Sequence, residues 1–245
     1  MPRFFIDKEN IADNELVIRG GDAFHIARSL RMAVGDGLTV CDGEGIDYDC
    51  TLTKIRDDEC VCAINSSAKS HSEPRHEITL YMAYPKGDKL ETVIQKAVEL
   101  GASVIVPFES RFCIKKPKED KQEKQSARLN KIAAEAAKQC GRGRLPQVKL
   151  PLSFDGMLAQ IKTQDKVLFC YEATGEDSSL KCVLKNLGES QKLGVIVGSE
   201  GGFSPDEADK ITAQGAIPVN LGSRILRCET APSYVLSCIS YEFEL

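Results

Sequence analysis

Apolar residues along the first seventy positions come in short runs broken by Gly and Asp. Phe4–Ile6, Leu16–Ile18, Gly37–Cys41, Ile46–Leu52 and Cys60–Ile64 read as strands, separated by links such as Gly35-Asp36-Gly37 and Asp42-Gly43-Glu44-Gly45. The spacing predicts a small β-barrel. One helix interrupts it at about Asp22–Arg31, where His25, Arg28 and Arg31 recur every three residues and share a face. That face is either a solvated surface or a phosphate-contacting edge. The polar stretch Ser66–Arg75, which contains Pro74, marks a boundary, so residues 1–72 are expected to form one domain and 73–245 a second.

From Ile78 onward the period changes. Ile78–Tyr84 reads as a strand and Lys89–Leu100 as a helix with Leu90, Val93, Ile94, Ala97 and Val98 on one stripe. Val104–Phe108, entered after Gly101, is the next strand. A long helix at about Lys121–Cys140 turns Leu129, Ile132, Ala133, Ala136 and Cys140 inward, and Lys124, Arg128, Lys131, Glu135 and Lys138 outward. Strands Val167–Tyr171, Leu193–Val197 and Ile217–Asn220 alternate with helices near Ser178–Leu187 and from Ser204. A last helix carries Ala231, Tyr234, Val235, Cys238 and Ile239 on its face. Short apolar strands alternating with helices predict an α/β domain with a parallel sheet covered on both faces. Ser204-Pro205-Asp206-Glu207 places a serine N-cap, a first-turn proline and a capping-box glutamate at one helix start.

Composition adds exclusions. The 245 residues are 42% hydrophobic and 28% charged, which is the balance of a folded chain. No apolar run approaches a membrane span and no signal-peptide pattern opens the chain, so a cytoplasmic protein without membrane attachment is expected. The ten cysteines are scattered through apolar runs without zinc-ligand spacing, so they are expected to be reduced core residues with no metal site. The net charge of −4 is unevenly spread: from Arg111 to Lys149 twelve Lys/Arg face four acids, a local +8. Such a segment can hold a polyanion, with the Gly141-Arg142-Gly143-Arg144 turn following an irregular phosphate path, or it can be a solvated helix face.

In an open α/β sheet ligands bind beyond the carboxyl ends of the strands, where loops 171–177, 198–204 and 221–230 lie. The second has three glycines in the five residues Gly198–Gly202, so a ligand can approach its backbone closely. The third sets Arg224 and Arg227 around the apolar pair Ile225-Leu226, ahead of Glu229-Thr230 at a helix start. It suits sandwiching a planar base and stabilising developing negative charge, or else pairs Arg227 with Glu229. The chain contains no dinucleotide-binding glycine fingerprint, no P-loop, no metalloprotease helix and no serine-hydrolase elbow.

GSEGGFSPDE at 198–207, LGSRILRCETA at 221–231, PKGDKLETVIQKAVELG at 85–101 and the opening MPRFF with its HIARSLR helix together resemble the RsmE family of SPOUT methyltransferases. The likeness runs the whole length. It implies a PUA-like RNA-binding domain followed by a SPOUT α/β domain with a trefoil knot. It also implies an S-adenosylmethionine cofactor, a homodimer, and methylation of N3 of one uridine in small-subunit (16S) ribosomal RNA within the 30S subunit. The cofactor residues would be Tyr171, Glu172, Gly198, Ser199, Glu200, Gly201, Gly202, Leu221, Gly222, Arg224, Ile225, Leu226 and Thr230. The RNA residues would be Arg3, His25, Arg28, Arg31, Lys124, Arg128, Lys131, Arg142 and Arg144. Two positions depart from the family: Ser199 replaces a usual proline and Cys228 a common threonine.

Uridine N3 carries a proton in its neutral form, so methylation needs a base or a cation that stabilises the imide anion. Arg227 is the candidate cation, and Glu229 is either a base or an orienter of Arg227; Glu200 and Glu172 are the other cleft carboxylates. The contrasting reading is a non-catalytic ribosome-assembly RNA-binding protein on the same scaffold, and a third, a metal-dependent nuclease, would need clustered acids at a strand end.

Overall fold

The computed structural model describes residues 1–114, 122–172, 178–188 and 192–245. The chain divides into two compact units: residues 1–73 together with 137–145, and residues 74–136 together with 146–245. Composition along the chain pointed to 1–72 for the first domain; the end of the long helix and the turn after it join that unit only through tertiary contacts.

In the first unit, strands β1 (Arg3–Phe5), β2 (Ile11–Ala12), β3 (Glu15–Arg19), β4 (Gly37–Cys41), β5 (Ile46–Ile55) and β6 (Glu59–Lys69) form a mixed sheet in the order β1-β4-β5-β6-β3-β2. The ladder runs from β1 through to β2, with β1 and β4 parallel and the other pairs antiparallel. Its core is built from Phe4, Leu16, Ile18, Ile26, Leu38 and Leu52 with Cys50, Cys60 and Cys62. β6 runs through residues whose polarity suggested a linker, because Ile46–Asp49 pair with Ser66–Lys69 and satisfy that backbone. Helix α1 (Gly21–Phe24) passes into a π turn over His25–Ser29, closed by the Leu30 N–H donating to the His25 carbonyl at 2.9 Å. A π turn advances less per residue than an α-helix, and the chain then leaves the helix through Arg31 at φ 53°. His25, Arg28 and Arg31 therefore do not share the helical face that their spacing predicted.

The second unit is a six-stranded, all-parallel sheet in the order β12-β10-β11-β7-β8-β9. Its strands are β7 (Glu77–Ala83), β8 (Ala102–Phe108), β9 (Gln147–Val148), β10 (Lys166–Cys170), β11 (Lys192–Val197) and β12 (Ile217–Val219). Its helices are α2 (Lys89–Glu99), α3 (Gln122–Cys140), α4 (Phe154–Ile161), α5 (Leu180–Lys185), α6 (Pro205–Ala213) and α7 (Thr230–Glu244), the last turn of α3 lying in the first unit. Burial of Leu90, Val93, Ile94, Ala97 and Val98 on α2 follows the apolar stripe read from the sequence. On α7 the buried residues include Pro232 and Leu236, while Tyr234 faces outward at 41% exposure. Short β9 and α4 had no periodic signal long enough to read. β7 lies between β8 and β11, so the connection from β7 runs to one side of the sheet while the later strands build the other. That reversal opens a crevice at the carboxyl ends of β7 and β11. Among the described residues no helix is long and apolar enough to cross a membrane.

Candidate active site

A cleft of about 920 Å³ sits at these strand ends. The residues after β10 (Tyr171, Glu172), after β11 (Gly198–Phe203) and after β12 (Asn220–Glu229) all line it. The three loops expected to converge thus do so in their described parts; residues 173–177 lie outside the described residues. An aromatic column runs beneath. Tyr171 stacks on Phe169 at 5.2 Å, Phe169 meets Phe203 edge-on at 5.1 Å, and Phe203 stacks on Phe108 at 6.2 Å.

The glycine loop is held as a turn by the Gly202 N–H donating to the Ser199 carbonyl at 2.9 Å, with Gly202 at φ 64°. At Gly201 the constraint is space instead: a Cβ there would stand 2.6 Å from Cβ of Phe112. The loop is anchored below by the expected capping box, in which Glu207 accepts from the Ser204 N–H at 2.9 Å and from its hydroxyl at 3.0 Å. Glu207 also accepts from the Arg111 N–H at 2.7 Å, tying the turn that carries Phe112 to the start of α6. Ser199 is 5% exposed, and its hydroxyl finds no hydrogen-bond partner among the described residues. A proline would lose no side-chain bond there.

The electrostatic centre of the cleft is a residue that the motifs did not single out. Lys89, the first residue of α2, donates to Glu200 at 3.0 Å and pairs with Glu229 at 3.2 Å. Glu200 also accepts from the Lys86 N–H at 3.1 Å, and Glu229 from the Cys228 thiol at 3.2 Å. Partial burial pushes the Glu200 carboxyl up, but the bonds from Lys89 and Lys86 outweigh it and leave the group below the usual carboxylate range. Glu229 is held low by the Cys228 thiol, a backbone N–H and Lys89. Burial and the bond to Glu229 push the Cys228 thiol up to about 12, so it is a neutral donor. The expected alternative pairing of Arg227 with Glu229 is not made, because Glu229 is committed to Lys89. Arg224 and Arg227 are exposed and form no side-chain hydrogen bond or ion pair with any described residue. Ile225, at 86% exposure, and half-buried Leu221 and Leu226 supply the apolar part of this loop, and Gly222 turns it at φ 111°. Thr230, exposed, is the first residue of α7; Glu229 and Ala231 on either side of it line the cleft, and it does not. Lys89 was legible only as part of a helix start; the signal that would have found it is that the loop after β7 borders the same crevice.

The candidate RNA residues separate. In the first unit Arg3 forms a fork with Asp47, both bonds at 2.9 Å, and is not a free phosphate contact. Arg142 is 2% exposed and bonds Glu73 through Nε at 3.0 Å and Nη2 at 2.8 Å. Its charge is spent inside the unit, because Glu73 also collects the Gly143 and Arg144 N–H groups at 2.9 Å each. Lys138 likewise pairs with Asp22 at 2.8 Å. Arg28 pairs with Asp57 at the surface, while His25, Arg31 and Arg144 are exposed. In the second unit Lys124 and Lys131 are exposed without a partner among the described residues, and Arg128 pairs with Glu91 at 2.9 Å. Lysines 115, 116, 118 and 121 of the basic segment lie outside the described residues.

Residues 71–240 match the model of an RNA methyltransferase domain, and residues 18–65 that of an RNA methyltransferase PUA domain. The chain is 35% identical to ribosomal RNA small subunit methyltransferase E of Bacillus subtilis, over all of this chain and 98% of that one. It is 29% identical to the protein of the same name in Synechocystis, over 97% of this chain and 77% of that one. Among solved structures, ribosomal RNA small subunit methyltransferase E from Neisseria gonorrhoeae, bound to S-adenosyl methionine, superposes with a TM-score of 0.85 at 26% identity, covering 98% of this chain and 97% of that one. A putative methyltransferase from Legionella pneumophila, in complex with the same cofactor, gives 0.84 at 26% identity over 98% and 96%.

Proposed function

The chain belongs to the ribosomal RNA small subunit methyltransferase E family, enzymes that use S-adenosylmethionine to methylate small-subunit ribosomal RNA, and we propose that the atom methylated is N3 of one uridine. The observation that carries this reading is that the two motif loops, 198–204 and 221–230, meet in one cleft that leaves Arg227 uncommitted beside apolar Ile225 and Leu226. The cleft fits the cofactor. Gly198, Gly201 and Gly202 keep one wall free of side chains, Tyr171, Leu221, Ile225 and Leu226 suit an adenine, and Glu172, Glu200 and Glu229 supply negative charge for a cationic ligand.

When bound, S-adenosylmethionine supplies the methyl group and its own leaving group. The protein must orient the uridine, exclude water and manage the N3 proton. We assign Arg227 to stabilising negative charge at N3, because it is one of two cleft arginines with no carboxylate partner among the described residues and, unlike Arg224, it adjoins Cys228 and Glu229 of the Lys89 cluster. Glu229, held ionised and occupied by Lys89 and Cys228, is better placed as a fixed electrostatic neighbour than as the base. The PUA unit, the exposed cations Arg31, Lys124, Lys131 and Arg144, and the exposed His25 are assigned to RNA, with action on the assembled small subunit. A homodimer, a trefoil knot in the α/β unit and a cytoplasmic location complete the proposal.

Incubation of the protein with labelled cofactor and small subunits from a strain lacking the modification, followed by mass mapping of the nucleoside, tests it. The expected product is a single 3-methyluridine; label on carbon 5 or on a ribose hydroxyl overturns the assignment of N3. Calorimetry with the cofactor is expected to give one site per chain, whereas a non-catalytic assembly factor would give none.

A further inference from the structure

Two cleft loops joined through α6 and β12 need something to set their spacing, and among the described residues no side-chain bond runs directly from one loop to the other. Lys89 supplies a bridge. It stands at the start of α2, just after the β7 end of the crevice, 111 positions before Glu200. Its side chain is 32% exposed, and its partners Glu200 and Glu229 are 30% and 27% exposed, so the three charges meet at the cleft wall rather than in free solvent. We propose that Lys89 is the positioning residue of this cleft: its ammonium, shared between Glu200 of the glycine loop and Glu229 of the arginine loop, locks both loops to the start of α2.

The cluster has few members. The charged and titratable groups facing Lys89 are Glu200, Glu229 and Cys228, joined by the Lys86 N–H. With Cys228 neutral, two carboxylates and one ammonium leave a local charge of −1. That sign suits a cationic sulfonium ligand, a point that rests on the cofactor reading above. Lysine at this place does two jobs that a neutral side chain cannot: it relieves repulsion between the carboxylates, and it holds both loops through one compact group. Without it, Glu200 and Glu229 would stand close with nothing between them, and each would titrate at higher pH.

Three full-length proteins test this: the wild type, Lys89→Arg and Lys89→Met. Carbon-detected NMR titration of the Glu200 and Glu229 carboxyls in the unliganded protein reads the bridge directly, and calorimetry with S-adenosylmethionine from pH 4 to 8 reads its consequence. In Lys89→Met both carboxyl midpoints are expected to move up. Cofactor affinity should fall at least tenfold at neutral pH, and its loss on acidification should begin at a higher pH than in the wild type. Lys89→Arg should restore most of both. Unmoved midpoints, or an equal loss of affinity at every pH in both variants, would overturn the proposal by making Lys89 a packing residue only. If the midpoints move as expected but the wild type binds no S-adenosylmethionine, the bridge stands and the cofactor reading fails.

Discussion

A buried hydroxyl with nothing to bond costs the folded state, and Ser199, in the glycine loop, carries one that has no partner among the described residues. Removing it should help: Ser199→Ala is expected to stabilise the protein by about 1 kcal/mol in chemical denaturation, because an unpaired buried polar atom is deleted with little loss of packing. A destabilisation of that size would mean that the hydroxyl has a role in the loop. Arg227 is the opposite case, an exposed cation without a partner among the described residues. Arg227→Lys keeps the charge and loses the planar fork. Single-turnover methylation should fall tenfold or more, equivalent to about 1.4 kcal/mol, with cofactor and RNA dissociation constants nearly unchanged. A parallel loss of affinity would reduce Arg227 to a binding residue.

Elements set where those side chains stand. Helix α6 begins at a serine cap whose reciprocal glutamate, Glu207, also collects the Arg111 N–H, so one helix start fixes the glycine loop on one side and the Phe112 turn on the other. Gly201 is squeezed between them, and its Cβ position is 2.6 Å from an atom that cannot rotate away. Gly201→Ala must therefore shift the loop or the turn. Cofactor affinity is expected to drop at least tenfold while the far-ultraviolet circular dichroism is retained. Unchanged affinity would remove this loop from the cofactor site. The short helix of the first unit shows how local geometry defeats a spacing argument. A three-residue repeat marks a face only on an α-helix or a 3-10 helix, and the π turn over His25–Ser29 followed by left-handed Arg31 breaks it.

On the scale of the molecule, basic residues divide into those that build and those that remain available. Arg142 builds. Burial pushes the Glu73 carboxyl up, but bonds from Arg142 and the Gly143 and Arg144 N–H groups outweigh this and hold it below its usual range. The stability this contributes is present above the ordinary glutamate pKa and is lost as pH falls through the lowered value. Arg142→Met should cost about 2 to 3 kcal/mol at neutral pH, since it strips a largely buried carboxylate of its partner. The deficit against the wild type should shrink as pH falls and Glu73 takes up its proton. Lys124 and Lys131 should behave differently: changing both to alanine is expected to leave stability nearly unaltered and to lower the slope of log RNA affinity against log salt by about 1.4. An unchanged slope would make the α3 stripe a solvated surface.

What the sequence determined by itself is what a few neighbouring residues can encode. The apolar stripe of α2, the capping box of α6 and the run of strand, glycine loop and helix from Leu193 onward are all satisfied within one or two turns of chain, so periodicity and cap chemistry specify them. The motif loops could also be placed at strand ends, because parallel strands must present their loops on one edge. Tertiary structure alone decided the strand order that seats β7 between β8 and β11, the continuation of β6 through polar residues, and the capture of residues 137–145 by the first unit. It also decided which charges are spent. Arg142 and Arg128 look alike in the sequence, as two cations of one basic segment, yet one is buried against Glu73 and the other meets Glu91 at the surface. Lys89 finds two carboxylates more than a hundred residues away. Ion pairs of that separation depend on the path of the whole backbone, which no local pattern carries.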